Sequence, residues 1–229
     1  MRSSYWSEDD DDAVAAACAA ADLSFALSGQ AIPADHALAL CEAVIGILPW
    51  LASVPGAGLR LALGTESGNG WQRDEGKGAI IYLPRRARLV LRLPQKRLED
   101  ARALAGSTLR ICGWQLRVGE PRVVALLPAA TLYARHVVDE ADDENGLLYQ
   151  IAQAIDALGP KPRKIMCGRC RRIATVGREL ATRSVMVAGL APRDSLELMA
   201  NGVGTGRLLG CGLFVPYKRP VMPGREADQ

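Results

Sequence analysis

Twice along this 229-residue chain, an alternating apolar segment gives way to a helical stripe, two extended segments, a second helix and a closing strand. That order restricts the fold more tightly than any compositional figure. Alternation at period two marks a strand with one buried face, whereas apolar residues three and four apart mark a helix packed on one side. In the first half Leu23, Phe25 and Leu27 alternate with Ser24, Ala26 and Ser28. Between Pro33 and Leu48 the stripe falls at 37, 40, 41, 44 and 48, and Pro49 stops it. Extended segments over 58–64 and 79–94 follow, then a helix over Gln95–Ala105 ended by Gly106, and a strand over 108–118.

The second half repeats the order. Thr131 to Asp139 alternates, and Leu147, Leu148, Ile151, Ile155 and Leu158 mark a helix closed by Gly159-Pro160. Strands near 163–173 and 179–189 follow, then a helix from Pro192 and a strand over Gly210–Tyr217. Two βαββαβ units in tandem predict an α+β fold of two ferredoxin-like domains. The sequence places them at 22–120 and 129–218, with Gly119–Pro128 as the join. Residues 1–21, an acidic run followed by AVAAACAAA, and residues 219–229 read as tails.

The net charge is only +3, but it is unevenly spread. The acidic run Glu8–Asp12 offsets arginine-rich strips at 85–92, 163–172 and 217–225, so the body of the chain is more basic than the total. That asymmetry suits a nucleic-acid surface. The longest uncharged stretch, Ala43–Leu59, is broken by prolines and glycines and predicts no membrane span. Six cysteines are too few for a disulfide scaffold, and the acidic N-terminus does not read as an export signal, which together imply a reducing cytoplasm.

In RRARLVLRL (85–93), Ala87, Leu89, Leu91 and Leu93 fall on one strand face and Arg86, Arg88 and Arg92 on the other. Guanidiniums in a row can follow an RNA backbone, or simply be solvated. RKIMCGRCRR (163–172) sits at the equivalent place in the second half and offers Arg163, Lys164, Arg169, Arg171 and Arg172 to the same surface. The stretch GVGTGRLLGCGLF (202–214) follows a helix and runs toward a strand. Two readings stand for it. Gly202, Gly204 and Gly206 with Arg207 could form a backbone cradle for a polyanion, or Gly202 could cap the helix ahead of a bulged strand.

Only two histidines are available for acid–base work. His36, in IPADHALAL, falls in the first turn of the first helix, whose positive end disfavours imidazolium. A neutral imidazole that takes and returns a proton suits ribose 2′-hydroxyl chemistry, although a first-turn histidine is usually a satisfied surface or edge residue. Asp35 beside it is placed to cap the helix or orient a partner. His136, in TLYARHVV, is expected to share a face with Leu132, Ala134 and Val138 and to pack. Cys167-Gly168-Arg169-Cys170 has no second Cys/His pair at zinc spacing and reads as a hairpin feature rather than a metal site. SGNGWQR (67–73) reads as a turn with Trp71 and Arg73 placed to touch a ligand or to pack.

The duplicated pattern with its C-terminal GVGTGRLLGCGLFVPYK resembles the RAMP superfamily of CRISPR proteins. IPADHALAL, SGNGWQR, LPRRARLVLRLP (83–94), TLYAR (131–135) and ATRSVMVAGL (181–190) are similar to the Cas6 repeat-processing endoribonucleases, in particular the subfamily with a Pro-x-Asp-His motif. The resemblance spans about 22–218. It implies metal-independent, cofactor-free cleavage of precursor CRISPR RNA within each repeat, leaving a 5′-hydroxyl and a 2′,3′-cyclic phosphate. His36 occupies the matching place for the general acid or base. The glycine loop with Arg207 and the basic hairpins would hold the repeat hairpin. The implied partners are repeat RNA, mature crRNA and other subunits of a type I Cascade-like complex. A non-catalytic RNA-binding subunit of such a complex is the alternative, because the glycine loop is common to both.

Overall fold

Chain order in the computed structural model, which describes residues 18–63, 78–141 and 143–217, is that of two ferredoxin-like units. The N-terminal unit comprises β1 (Ala20–Ser28), β2 (Ala31–Pro33), α1 (Ala37–Ile47), β3 (Gly58–Ala62), β4 (Ile80–Tyr82), β5 (Arg88–Pro94), α2 (Leu98–Ala101), β6 (Thr108–Ile111) and β7 (Trp114–Ala125). Its sheet runs β3-β5-β1-β7-β6, antiparallel throughout, while β2 and β4 pair separately as a small ribbon. The C-terminal unit comprises β8 (Thr131–Val138), α3 (Glu144–Leu158), β9 (Lys164–Thr175), β10 (Arg178–Ala188), α4 (Pro192–Asn201) and β11 (Val215–Pro216). Its order β11-β8-β10-β9 leaves β9 at an edge.

Each sheet has its own apolar core. Leu23, Phe25, Leu89, Leu91 and Leu93 meet Leu40, Val44 and Leu51 in the first, and Leu132, Ala134, Val185 and Val187 meet Ile151, Ile155 and Leu198 in the second. α3 is secured at both ends. The Asp143 carboxylate accepts the Gly146 N–H at its N-terminus, and Gly159 closes it at φ 103°.

Several boundaries depart from the sequence reading. The segment expected as one strand over 79–94 divides into β4 and β5, because a turn at Pro84–Ala87, closed by the Ala87 N–H on the Pro84 carbonyl, takes up Arg85 and Arg86. The Gln95–Ala105 helix is broken into a single α-turn flanked by 3₁₀ turns over Gln95–Arg97 and Arg102–Leu104. β7 continues through most of the expected join. A bulge opposite Ala26 absorbs Gly119 and Glu120, and pairing with β1 resumes at Pro121 and continues to Ala125. The strand expected over Gly210–Tyr217 shrinks to Val215–Pro216, since the glycines before it turn the chain instead.

The two units cover one another reciprocally. The outer face of the first sheet, with Asp22, Ser24, Val90 and Arg92 all buried, lies under the end of α4 and the loop after it. The first turn of α1 in return packs Ala37 against Val138, Ile173 and Cys211 of the second unit. No described helix is long and apolar enough to cross a membrane.

Candidate active site at the seam between the units

His36 stands at the N-cap of α1, one residue ahead of the helix, and its side chain makes no capping bond. Its Nδ1 lies 2.8 Å from the Pro33 carbonyl oxygen. A carbonyl only accepts, so Nδ1 carries the hydrogen and Nε2 is left with the lone pair of the neutral ring. Burial is the main cause of a lowered His36 pKa, helped by the Arg135 charge and opposed by the Pro33 and Ala34 carbonyls and by Asp35. The sequence reading gave that direction to the helix end; desolvation is the larger cause. Asp35 does not cap α1. Its carboxylate accepts the Ala174 N–H of β9 at 3.3 Å, tying the start of α1 to the second unit.

The second histidine is not where simple alternation puts it. Pairing of β10 with β8 slips between Arg183 and Val185, so Arg135 and His136 together oppose Ser184. The same slip recurs on the other side, where Gly168 and Arg169 of β9 face Ser184. Ser184 approaches so closely that a Cβ on Gly168 would lie 2.4 Å from its hydroxyl. The bulge turns His136 away from the face of Leu132 and Ala134 and toward Thr182, whose Oγ1 is 3.0 Å from its Nδ1. Burial, then Arg135, Arg171 and His36, push the His136 pKa down to about 3. Two imidazoles and two guanidiniums therefore share one neighbourhood.

The expected RNA ligands separate into groups. Arg86, Arg163, Lys164, Arg169 and Arg172 are exposed, and Arg88 and Arg171 are half-buried. Arg86 belongs to the turn before β5 rather than to the strand, and Arg172 pairs with Glu179 at 3.2 Å. Arg92 is a correction. β5 is an interior strand covered on both faces, and Arg92 is 2% exposed. Its guanidinium donates to both oxygens of Asp22, at 2.8 and 3.1 Å, and through Nη1 to the Met199 and Phe214 carbonyls at 3.0 and 2.6 Å. It binds the second unit to the first.

Arg207 is a second correction. It turns inward and donates to the Ala200, Asn201 and Gly56 carbonyls, and burial lowers its pKa to about 10. The glycine loop behaves as a cap and turn. The Gly202 N–H closes α4 on Leu198, and the N–H groups of Val203, Leu209, Gly210, Cys211 and Gly212 also donate to carbonyls of the protein itself. Gly202 has φ +67°, and a Cβ there would lie 2.3 Å from the Gly212 oxygen. Gly202 is buried, Gly206 partly so, and Gly204 is exposed at the crest.

A family model described as Cas6 Crispr matches residues 21–219. A CRISPR-associated endonuclease Cas6 of Myxococcus xanthus (strain DK1622) is 31% identical over 207 residues, which is 90% of this chain and 83% of that one. The chain belongs to the Cas6 family. Solved structures agree in fold. A CRISPR associated protein Cas6 superposes with a TM-score of 0.58 at 12% identity, covering 87% of this chain and 100% of that one. A Cas6-related protein from Pyrococcus furiosus gives 0.54 at 12% identity, covering 85% and 97%.

Within this Cas6 fold, the sequence singles out His36, gives no site role to Arg135 and assigns His136 to packing, whereas the structure brings the three together. The signal of Arg135 and His136 was hidden in a bulge, which no periodicity reveals. SGNGWQR lies outside the described residues, as do both arginines of 217–225. Cys167 and Cys170 flank the β9 bulge, and among the described residues no three His, Cys, Asp or Glu side chains gather to hold a cation.

Proposed function

We propose that this Cas6 protein is an endoribonuclease that cuts precursor CRISPR RNA within its repeats, using His36 and no metal ion. One observation carries the reading: an imidazole kept neutral by burial, its Nδ1 fixed by the Pro33 carbonyl, set where the two units meet beside Arg135. The Myxococcus relative, which is named an endonuclease, supports it.

The chemistry asks little else of the protein. Attack by the 2′-oxygen forms an O2′–P bond and breaks the P–O5′ bond. A proton leaves the 2′-hydroxyl and a proton must reach O5′, giving a 2′,3′-cyclic phosphate and a 5′-hydroxyl. Both transfers lie within reach of imidazole near neutral pH. Arg135 and Arg171 supply positive charge for the phosphate, whose negative charge grows in the transition state. Arg86, Arg88, Arg163, Lys164, Arg169 and Arg172, with Gly204 and Gly206 at the loop crest, track the flanking backbone. The crRNA stays bound by its 3′ hairpin and passes with the protein to other subunits of a type I Cascade-like complex.

The test is single-turnover cleavage of repeat RNA in EDTA. The wild-type protein is expected to leave a cyclic phosphate, and His36→Ala to lose roughly 10²–10⁴-fold in rate while still binding RNA. His36→Ala cutting at the wild-type rate would defeat the assignment. Tight binding by the wild-type protein with no cut would make it the RNA-holding subunit instead.

A further inference from the structure

Two proton transfers made in one concerted step call for two groups, and the seam holds a second imidazole. The start of α1 lies on the outer face of the second sheet: Ala37, next to His36, packs against Val138, which is two residues from His136 and directly opposite Thr182. His136 reaches that same Thr182, so it shares the face on which α1 sits. Without the bulge at Arg135–His136, alternation would send its ring into the core under α3. A strand irregularity that re-aims a side chain is a feature commonly found beside active sites.

The hydrogen bonds also settle which nitrogen is available. The Thr182 hydroxyl donates to the Arg171 carbonyl at 3.3 Å, so its oxygen accepts from His136 Nδ1–H at 3.0 Å. His136, like His36, therefore keeps its lone pair on Nε2. We infer that His136 is the second catalytic imidazole of this site: it takes the 2′-hydroxyl proton, and His36 gives one to the departing 5′-oxygen. The inference rests on the endoribonuclease reading above.

The division of roles follows from the surroundings. Burial and then Arg135 oppose the His36 cation, while the Pro33 and Ala34 carbonyls and Asp35 favour it in part. His136 faces Arg135 on its own strand, Arg171 on β9 and His36 on α1, all of which oppose a proton, with only neutral Thr182 on β10. Mutual repulsion lets the pair hold at most one proton, which is less disfavoured on His36 than on His136, so the reactive form is the one that carries it on His36. In the step itself, the 2′-hydroxyl proton passes to His136 Nε2 as O2′–P forms. P–O5′ breaks as O5′ takes the proton of His36 Nε2–H. Solvent then moves one proton from His136 back to His36.

The discriminating variant is His136→Asn, whose amide can keep the bond to Thr182 while removing Nε2. At saturating protein and with RNA affinity unchanged, it is expected to slow cleavage roughly 10²–10⁴-fold. A repeat RNA with sulfur in place of the 5′-bridging oxygen at the cut has a leaving group that needs no proton. It should restore His36→Ala and leave His136→Asn slow; His136→Gln should give the same pair of results. Wild-type cleavage by His136→Asn, or its rescue by the sulfur substrate, would overturn the inference. If His136→Asn is fast and His36→Ala inactive, only this inference fails. If His36→Ala is also fast, the reading beneath it fails.

Discussion

β5 and β9 look alike as strings and behave as opposites. Both are arginine-rich, and both belong to the hairpins of their units. Yet β5 is interior to a sheet covered on both sides, and its Val90 and Arg92 are 3% and 2% exposed. β9 is an edge strand, and Lys164, Arg169 and Arg172 stand in solvent. What decides whether an arginine meets solvent or protein is thus its strand's place in the sheet order and what lies on the second face. Alternation shows that a strand has two faces; it does not show what covers them.

The comparison breaks most readily at Arg92. Removing its guanidinium takes this donor from the buried Met199 and Phe214 carbonyls and leaves the buried Asp22 carboxylate with the longer Arg60 contact at 3.5 Å. Breaking a buried pair from one side costs about 3–5 kcal/mol. Arg92→Met should therefore lower the Tm by on the order of ten degrees. A Tm equal to wild type with RNA affinity lost would restore Arg92 to the nucleic-acid face. Gly202 comes next. At φ +67°, with the Gly212 oxygen 2.3 Å from a would-be Cβ, Gly202→Ala should cost about 1–3 kcal/mol in chemical denaturation. Gly204→Ala, at φ +77° with only Val137 near at 3.9 Å, carries just the left-handed penalty of roughly 1–2 kcal/mol. Equal losses at the two positions would mean that the loop is not braced by Gly202.

These contrasts explain what the sequence could reveal. The order of elements was legible because each core is built from period-two strands and period-3.6 helices, and β8 to α4 fall within a few residues of expectation. The place of His36 was legible because it is local to a helix start. The settings of Arg92, Arg207 and His136 were not, since each is fixed by a partner far along the chain: Phe214, Gly56 and Thr182. Gly119 and Pro121 mark a linker in a string, yet β7 runs through both: a bulge absorbs Gly119, and Pro121 pairs with Phe25. Bulges and second-face contacts are long-range facts, and local periodicity is blind to them.

The smallest effect tests the other side of the comparison. Exposed basic residues on an edge strand have two explanations: they hold RNA, or they merely prevent the open edge from pairing with another chain. Arg169→Ala and Lys164→Ala should each leave stability within about 0.5 kcal/mol. If they contact phosphate, each should also flatten the dependence of RNA affinity on salt by roughly 0.7–0.9 in the log–log slope. Edge protection alone predicts an unchanged slope and a growing tendency to associate, visible by light scattering. Glu179 sharpens the distinction. It competes for Arg172 through an ion pair whose side chains are 75% and 44% exposed, worth under about 1 kcal/mol. Glu179→Gln should leave the Tm in place and strengthen RNA binding slightly at low salt, an advantage that fades as salt rises because the freed guanidinium acts through charge alone. A variant that binds RNA no better at low salt would place Arg172 off the RNA path and leave β9 as a guarded edge.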